Sequence, residues 1–332
     1  MTRPLTIAYV LVDRGTGRYP LMACVSIAAA RRVQPHARIV LVCDEETVPH
    51  LREKHPDLLD ALDQIIPLAS SIPSLRARSF YFKTRVRDLV EGDLAYLDSD
   101  TLPIRPFADI FDDEWDFALV QDRNHHCPIT PTFPHWEMER MRKMGWDCPL
   151  PKYFNAGIYF LRDNPAVRTA VADWQRRWEH SWSFGDDWDQ LALNCSVHTL
   201  PVRVRELSPA YNAMVGVHPV YARGAKIYHF FIGNVSDLGD SLFEHLLRHY
   251  QATRTIDWAS IDHCVAIDHP WMPPYWPRRL WQTGNYGLAL RHFAARIGKK
   301  LLPRKPNRIP IRFGNVVPKD SGSHSSGLRE PC

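Results

Sequence analysis

"LAYLDSDTLPIRP", residues 94–106, runs from apolar residues into two aspartates, Asp98 and Asp100, that are followed by two prolines. The short apolar run gives way at once to polar and turn-forming residues, which predicts a buried strand that stops at the first aspartate. In open α/β sheets, ligands bind outside the carboxyl ends of the strands. The stretch therefore predicts two carboxylates at a sheet edge that a ligand can reach, although aspartates there also form ordinary turns.

Apolar runs of strand length alternate with helix-like stretches on both sides of this segment. The alternation predicts an α/β fold with a doubly wound, mostly parallel (mixed) sheet that carries helices on both faces. Two other predicted strands also end in an aspartate, Asp13 and Asp44. The predicted strands cover 5–13, 37–44, 63–68, 94–97, 115–122, 155–161 and 225–233, and the predicted helices cover about 19–33, 46–55, 74–90 and 165–180.

The composition is that of a globular protein with a large core: 332 residues, 45% hydrophobic and 23% charged. The first apolar run stops at Asp13, so it is too short for a signal peptide, and no run approaches the roughly 18 apolar residues of a membrane span. The seven cysteines are scattered and form no C-x-x-C pair. These features predict a cytoplasmic protein with reduced thiols.

Charge is unevenly distributed along the chain. Residues 278–312 contain ten Lys and Arg and no acidic residue, whereas the rest of the chain holds 31 Lys and Arg against 37 Asp and Glu. The basic character therefore belongs to a C-terminal segment. We expect a catalytic domain over 1–255, a basic helical appendage over 256–312 and a disordered polar tail over 313–332.

The "DSDT" pattern admits an interpretation as the D-x-D-x-T motif of haloacid-dehalogenase-like phosphatases, with "GDD" (185–187) as the later acidic motif of an Mg²⁺ site. In that family the nucleophile ends the first strand of the domain, whereas about three predicted strands come earlier here. The later acidic motif of that family follows a buried strand, whereas "GDD" follows "WEHSWSF", which has no strand pattern. This alternative is therefore the weaker one.

The other interpretation is the D-x-D of GT-A glycosyltransferases, in which carboxylates hold a divalent cation against the diphosphate of a nucleotide-sugar. Carboxylate oxygens suit Mg²⁺ and Mn²⁺, and such an ion stabilises the charge of the leaving diphosphate. Several motifs in order resemble glycosyltransferase family 8 and its near relatives, which are retaining GT-A enzymes. The resemblance covers about 5–235 and rests on "YFKTRVRDLV", "LAYLDSDTLPIRPFADIF", "YFNAGIYFLR", "DWDQLALN" and "KIYHFFIG".

This resemblance implies a cation site and a donor site. Asp98, Asp100 and His229 would be the ligands of Mn²⁺ or Mg²⁺. Asn155, Asp189 and Gln190 would face the donor sugar, where a retaining enzyme stabilises positive character at C1. The remaining contacts to the donor, expected to be a UDP-sugar, would come from Asp13 and Tyr19 at the nucleoside, Lys83 or Arg85 at the sugar or phosphates, Ser99 at the ribose or sugar, Lys226 at a phosphate, and Gly233 in the histidine motif.

The chain departs from the family pattern after the histidine. The family often reads H-x-x-G-x-x-K-P-W, whereas this chain reads "HFFIGNVSDL" and lacks the lysine that usually meets the diphosphate. Structural alternatives stay open for three assignments: His229 as a core histidine, Asp189 as a helix cap, and Asn155 with Gly157 as a strand-edge turn. The "RNHHC" cluster (123–127) does not favour zinc, because adjacent histidines diverge on a strand.

Two regions point to partners other than the donor. Residues 123–152 form a long irregular segment that we expect to cover the acceptor, with aromatic faces for sugar rings at Trp136, Trp146 and Tyr153. On the helix predicted over 286–302, apolar residues gather on one face and basic residues on the other. Residues 276–312 therefore either bind an anionic membrane surface or pack on the main domain. No nucleic-acid-binding module accompanies the charge, so no such partner is expected.

Taken together, the sequence predicts a metal-dependent glycosyltransferase of the hexosyltransferase type. Its acceptor would be a glycan or a lipid-linked glycan, and the enzyme would act in the cytoplasm or peripherally on the inner face of the membrane. Two alternatives remain: the Mg²⁺-dependent phosphatase, and a GT-A domain that binds a nucleotide-sugar or glycan without turnover.

Overall fold

The computed structural model describes residues 5–15, 17–122, 135–231 and 239–301. Within these ranges, seven strands form a main sheet and three short strands form a second one. The strands are β1 (Thr6–Leu11), β2 (Arg38–Asp44), β3 (Gln64–Leu68), β4 (Leu94–Leu97), β5 (Thr101–Pro103), β6 (Phe117–Gln121), β7 (Phe154–Leu161), β8 (Val204–Leu207), β9 (Ala213–Met214) and β10 (Ile227–His229). The α-helices are α1 (Tyr19–Val33), α2 (Thr47–Lys54), α3 (Pro56–Asp60), α4 (Leu75–Leu89), α5 (His135–Lys143), α6 (Pro165–Ser183), α7 (Gln190–Thr199), α8 (Leu242–Thr253), α9 (Trp258–Ala266), α10 (Pro277–Gln282) and α11 (Tyr286–Leu301).

The main sheet has the strand order β3-β2-β1-β4-β7-β6-β8. The first four strands in this order are parallel, β7 is antiparallel to both of its neighbours, and β8 is parallel to β6. The predicted α/β fold with a mostly parallel, mixed sheet is confirmed. Because β7 is reversed, its first residues lie beside the last residues of β4, where Leu97 pairs with Ile158.

Helices cover both faces of the main sheet. Side chains of β1 alternate between two apolar clusters: Ile7 and Tyr9 pack in the cluster that contains α1, and Ala8 and Val10 pack in the cluster that contains α4 and α6. All six residues of β1 are buried. Parallel strands that are covered on both faces form unbroken apolar runs, which is why β1 and β2 are recognisable from the sequence.

The second sheet places the histidine motif next to the aspartate pair. Its order is β5-β10-β9, with β10 antiparallel to β5 so that His229 pairs with Thr101. The strand predicted over 225–233 is thus shorter than expected and belongs to this small sheet. Backbone pairing with β5 therefore fixes how far His229 lies from the end of β4.

The segment predicted to be irregular over 123–152 contains a helix. Residues 135–143 form α5, so the prediction is wrong for these residues. The sequence "HWEMERMRK" is rich in helix formers, and Glu137 forms an i,i+3 ion pair with Arg140. Residues 123–134, which include the "RNHHC" cluster, lie outside the described residues.

The C-terminal segment is helical where the structure describes it. Ile261 of α9 belongs to the same apolar core as α1. Leu280 of α10 and Ala289 of α11 form a small separate cluster with Tyr275. The division between a catalytic domain and an appendage at residue 255 stays a prediction, and the tail predicted over 313–332 lies outside the described residues.

Candidate metal centre and its surroundings

Asp98 and Asp100 occupy the turn between β4 and β5. Both the backbone N–H and the hydroxyl of Thr101 donate to the carbonyl of Asp98 (3.2 and 2.7 Å), and the Asp98 N–H donates to the Gly157 carbonyl (2.8 Å). These bonds close the turn and attach it to β7. Nε2 of His229 lies 3.3 Å from Oδ1 of Asp100, and potential ligand atoms of Asp98, Asp100 and His229 all lie within 4.8 Å of one another.

The geometry of this group fits a divalent cation. Two carboxylates and one imidazole form a donor set that Mn²⁺ and Mg²⁺ accept. Gly157 keeps the space between them open, since a Cβ at this position would lie 2.5 Å from Cε1 of His229 and 2.8 Å from Oδ2 of Asp98. His229 is buried, but its ring directs a nitrogen at a carboxylate. The alternative of a core histidine is therefore not favoured.

Lys83 lies between two carboxylates. Its Nζ is 3.3 and 3.4 Å from the oxygens of Asp98 and 3.6 Å from Oδ2 of Asp189. The side chain is only 4% exposed. Burial acts to lower the pKa of Lys83, but Asp189 and Asp98 together raise this pKa above its usual value. Lys83 is therefore a buried, fixed positive charge, and Tyr96 adds a hydrogen bond to the same Asp98 carboxylate (2.7 Å).

The structure does not bring Arg85 or Lys226 to Asp98 or Asp100. Arg85 lies over the ring of Tyr81, so of the two cations predicted on α4, Lys83 is the one at the site. Lys226 forms an ion pair with Asp109 because it precedes β10, at the end of that strand away from the D-x-D. The phosphate contact predicted for Lys226 therefore has no support in this geometry.

Asp189 is a buried carboxylate with an unusual environment. It occupies the N-cap position of α7, but its side chain makes no capping hydrogen bond. It is 2% exposed, and no donor in the described part of the chain reaches its Oδ2 by a hydrogen bond. Burial raises the pKa of Asp189 to about 6, with Lys83 opposing the shift and Asp98 adding to it. The helix-cap alternative therefore does not explain this side chain.

We predict that Asp189 makes the unliganded protein less stable as the pH rises. Its folded-state pKa of about 6 lies above the value of an unfolded aspartate, so the folded protein binds more protons between about pH 4 and pH 6. The contribution of Asp189 to the free energy of unfolding should therefore fall by about 3 kcal/mol across this window. Asp189→Asn should abolish the fall, which urea unfolding at several pH values will measure.

Asp163→Asn is the matched control with the opposite sign. Burial acts to raise the pKa of Asp163, but the Gly92 N–H and Arg168 lower it below its usual value. The stabilising contribution of Asp163 therefore disappears as the pH falls, whereas that of Asp189 disappears as the pH rises. Parallel stability profiles for the wild type and Asp189→Asn would contradict the prediction.

Asn155 and Gln190 belong to one polar network beside the metal centre. Oε1 of Gln190 accepts from Nδ2 of Asn155 (3.2 Å) and from the Ala156 N–H (3.0 Å). Oδ1 of Asn155 accepts from Nδ2 of Asn212 (2.9 Å), and Oδ1 of Asn212 lies 2.9 Å from Nδ1 of His229. Asn155 and Gln190, which are predicted to face the sugar, are thus joined to His229 through Asn212. No prediction from the sequence concerned Asn212.

The other predicted donor contacts are placed as follows. Asp13 is buried, and its carboxylate accepts from the Gly15 N–H. Tyr19 is 55% exposed, and the charges of Asp100 and Asp98 add to the effect of burial in raising its pKa. Ser99 is half-buried within the D-x-D turn. Gly233 lies outside the described residues.

The "GDD" aspartates are held by arginines. Asp186 forms an ion pair with Arg140, and Asp187 accepts two hydrogen bonds from Arg76. These carboxylates therefore do not join the D-x-D in a cation site, and this removes the main support for the phosphatase interpretation.

Aromatic residues of the predicted acceptor segment differ in their accessibility. Tyr153 is fully buried and donates its hydroxyl to Glu137 (2.8 Å). Its predicted role as a face for sugar rings is therefore wrong, and the residue supports α5 instead. Trp146 is half-buried and donates to His180 (3.0 Å). The side chain of Trp136 lies outside the described residues.

No protein-family profile matches this chain, and no curated protein sequence matches it. Comparison with solved structures finds glycosyltransferases. WbbM, a bifunctional glycosyltransferase, aligns with a TM-score of 0.52 and 14% identity over 79% of this chain and 51% of its own, so this chain spans about half the length of that protein. The galactosyltransferase LgtC aligns with a TM-score of 0.45 and 14% identity (68% of this chain, 87% of its own), and GlyE from Streptococcus pneumoniae TIGR4 aligns with 0.49 and 14% (83% and 66%).

At 14% identity, the match to WbbM bears on the fold alone. The observed strand order, with one reversed strand in an otherwise mostly parallel sheet between two layers of helices, agrees with it. The chain therefore has the mixed α/β fold of GT-A glycosyltransferases.

Proposed function

We propose that this protein is a metal-dependent glycosyltransferase that moves a hexose-type sugar from a nucleoside-diphosphate sugar, with UDP as the nucleotide, to a glycan or lipid-linked glycan. The observation that carries the proposal is the convergence of Asp98, Asp100 and His229 within 4.8 Å in a glycosyltransferase fold. These three residues would hold Mn²⁺ or Mg²⁺, which would stabilise the negative charge of the departing diphosphate.

Lys83 supports the proposal as a positive charge that is already in place. In the unliganded protein its ammonium lies between Asp98 and Asp189. When Asp98 serves as a metal ligand, the ammonium keeps Asp189 as its partner and can contact the donor's phosphates or sugar hydroxyls. This lysine would therefore supply part of the positive charge that the family places in the Lys-Pro-Trp motif.

Asp189 and Gln190 support transfer with retention of configuration. Nε2 of Gln190 donates to Asp122 (2.6 Å), which fixes the orientation of the amide. Asp189 is the carboxylate closest to Lys83 apart from Asp98, and its pKa of about 6 leaves it mostly ionised at neutral pH. The negative charge of Asp189 beside the donor sugar would stabilise positive character at C1 in the transition state, and Gln190 would hold Asn155 in position there.

A thermal-shift screen of nucleoside diphosphates with and without Mn²⁺ tests the proposal. UDP with Mn²⁺ should raise the melting temperature more than either alone, since a ligand at a hundred times its Kd stabilises by about 2.7 kcal/mol. Incubation with UDP-sugars should then release UDP in a metal-dependent reaction. Release of phosphate from simple phosphomonoesters without turnover of UDP-sugars would favour the phosphatase, and binding of UDP without any turnover would favour a non-catalytic domain.

We further propose that the enzyme works on an anionic membrane surface at the cytoplasmic face. Tyr286, Leu290, Phe293 and Ile297 follow one another at helical spacing on α11 and are between 42% and 59% exposed. Ala289 on another side of α11 is buried against the protein, so the helix packs with one side and leaves an apolar stripe open. The basic residues of 278–312 suit anionic headgroups.

Two further observations bear on this location. No helix in the described part of the chain combines the length and apolarity that a membrane span requires. The five cysteines that the structure describes are all free thiols, which supports a reducing compartment.

Leu290→Asp and Phe293→Asp should each weaken binding to vesicles that contain anionic lipid by at least about tenfold. Each substitution removes an apolar side chain that would enter the bilayer and adds a negative charge that the anionic lipid repels. Co-sedimentation with vesicles measures the change. Val220→Asp, which alters another exposed apolar residue, is the control and should bind like the wild type. Equal binding by all three variants would contradict the membrane proposal.

A further inference from the structure

The orientation of the Asn155 side chain is fixed by backbone groups. The Gly157 N–H can only donate, and it lies 2.9 Å from Oδ1 of Asn155. The Ala156 N–H likewise donates to Oε1 of Gln190, and the Asn155 amide nitrogen donates to the same oxygen. Oδ1 of Asn155 is therefore an acceptor in every one of its contacts.

The orientation of the Asn155 amide also determines the orientation of the Asn212 amide. The second contact of Asn155 Oδ1 is the Asn212 side chain at 2.9 Å, which must offer its Nδ2 because an acceptor requires a donor. Oδ1 of Asn212 then faces Nδ1 of His229 at 2.9 Å. Since this oxygen can only accept, Nδ1 of His229 carries the hydrogen.

The tautomer determines what the other ring nitrogen can do. A neutral imidazole with hydrogen on Nδ1 presents a lone pair at Nε2. This lone pair lies 3.3 Å from Oδ1 of Asp100, whose side chain is 20% exposed, so two acceptors face each other. A cation between the two atoms would bind to both acceptors. Asn212 is itself 1% exposed, so water does not replace its contacts.

We propose that Asn212 is a positioning residue that holds His229 in the Nδ1–H tautomer and thereby directs the Nε2 lone pair at the cation. The part that concerns the cation rests on the proposed function, whereas the part that concerns the tautomer does not. A partner on the second nitrogen is the usual way in which proteins orient a metal-bound histidine, and its loss typically weakens metal binding by about 10–100-fold.

The test compares the wild type with four variants of the full chain. Asn212→Leu keeps the approximate shape of the side chain but removes both polar groups, and Asn212→Ala serves as a second loss variant if the first does not fold. Asn212→Asp keeps an acceptor for Nδ1–H but loses the donor to Asn155. Asn164→Ala is the matched control, because Asn164 caps α6 and bonds Asp116 on another part of the protein.

The first readout is the nitrogen chemical shifts of His229 in the metal-free protein, recorded under conditions in which these shifts show a single hydrogen on the ring. The wild type, Asn212→Asp and Asn164→Ala should show the Nδ1–H tautomer, and Asn212→Leu should show a mixture or the Nε2–H tautomer. The signal is assigned by its loss in His229→Gln. An Nε2–H tautomer in the wild type, or an unchanged tautomer in the loss variants, would overturn the proposal.

The second readout is the affinity for Mn²⁺ alone, measured by electron paramagnetic resonance of the free ion. Asn212→Leu should bind about 10–100-fold more weakly, whereas Asn212→Asp and Asn164→Ala should stay within about threefold of the wild type. Equal affinity of Asn212→Leu and wild type would overturn the link from Asn212 to the cation. A wild type that binds no Mn²⁺ but shows the Nδ1–H tautomer would refute the metal part of the proposed function and still support the tautomer assignment.

Discussion

Asp100→Ala should lower metal-stimulated sugar transfer by about 10²–10³-fold while the protein stays folded. The substitution removes one of the two carboxylates of the candidate cation site, the one whose Oδ1 lies 3.3 Å from Nε2 of His229. Loss of one group that stabilises the charge of a transition state typically has an effect of this size. Steady-state transfer from UDP-sugars over a range of Mn²⁺ concentrations measures the change.

The folded state should tolerate this substitution, because removing Asp100 also relieves the repulsion between neighbouring carboxylates. Asp109→Ala is the control, since Asp109 is an exposed partner of Lys226 outside the site, and it should retain full activity. Full metal-stimulated activity of Asp100→Ala would refute the metal role of the D-x-D.

Lys83→Met should lower the free energy of unfolding by about 3–5 kcal/mol, a decrease in melting temperature of roughly 6–12 °C. The substitution leaves Asp98 and the buried Asp189 without the cation that lies 3.3 and 3.6 Å from them. The loss should be larger at pH 8 than at pH 5, because Asp189, with a pKa of about 6, can take up a proton at the lower pH. Urea and thermal unfolding of the unliganded protein measure it.

A second substitution separates charge from packing in this experiment. Lys83→Met combined with Asp189→Asn should recover a large part of the lost stability, since no uncompensated buried carboxylate remains at position 189. Arg85→Met, on the same helix but over the ring of Tyr81, should change stability by no more than about 1 kcal/mol. A double variant as unstable as Lys83→Met would show that the buried charge is not the cause.

The fold was largely predictable because its signals are local. A strand covered on both faces must be apolar along its whole length, and β1 and β2 are. The reversal of β7 leaves no such mark, since an antiparallel strand buried on both faces is equally apolar. The helix α5 has a local signal in its helix-forming residues, and it gains further support from Tyr153 and Asp186, which are more distant in sequence.

The site was predictable where family motifs identify residues and unpredictable where packing selects among them. Asp98, Asp100 and His229 come together as the resemblance implied. Lys83 and Arg85 are about 200° apart around α4, and only the packing of that helix decides which one faces the D-x-D. Asn212 has no local signal at all, because it reaches His229 through the pairing of β9 with β10.

In the proposed reaction, the donor side lies where the antiparallel strand β7 meets β4, and the segment expected to cover the acceptor lies between β6 and β7. Leu97 pairs with Ile158 and the Asp98 N–H donates to the Gly157 carbonyl, so the sheet itself holds this end of β7 next to the D-x-D. Residues 135–152, which precede β7, are instead attached through side chains, such as Glu137 to Tyr153 and Arg140 to Asp186. Replacing the segment between β6 and β7 with that of another enzyme of this architecture should therefore leave the turn that carries Asp98 and Asp100 in place.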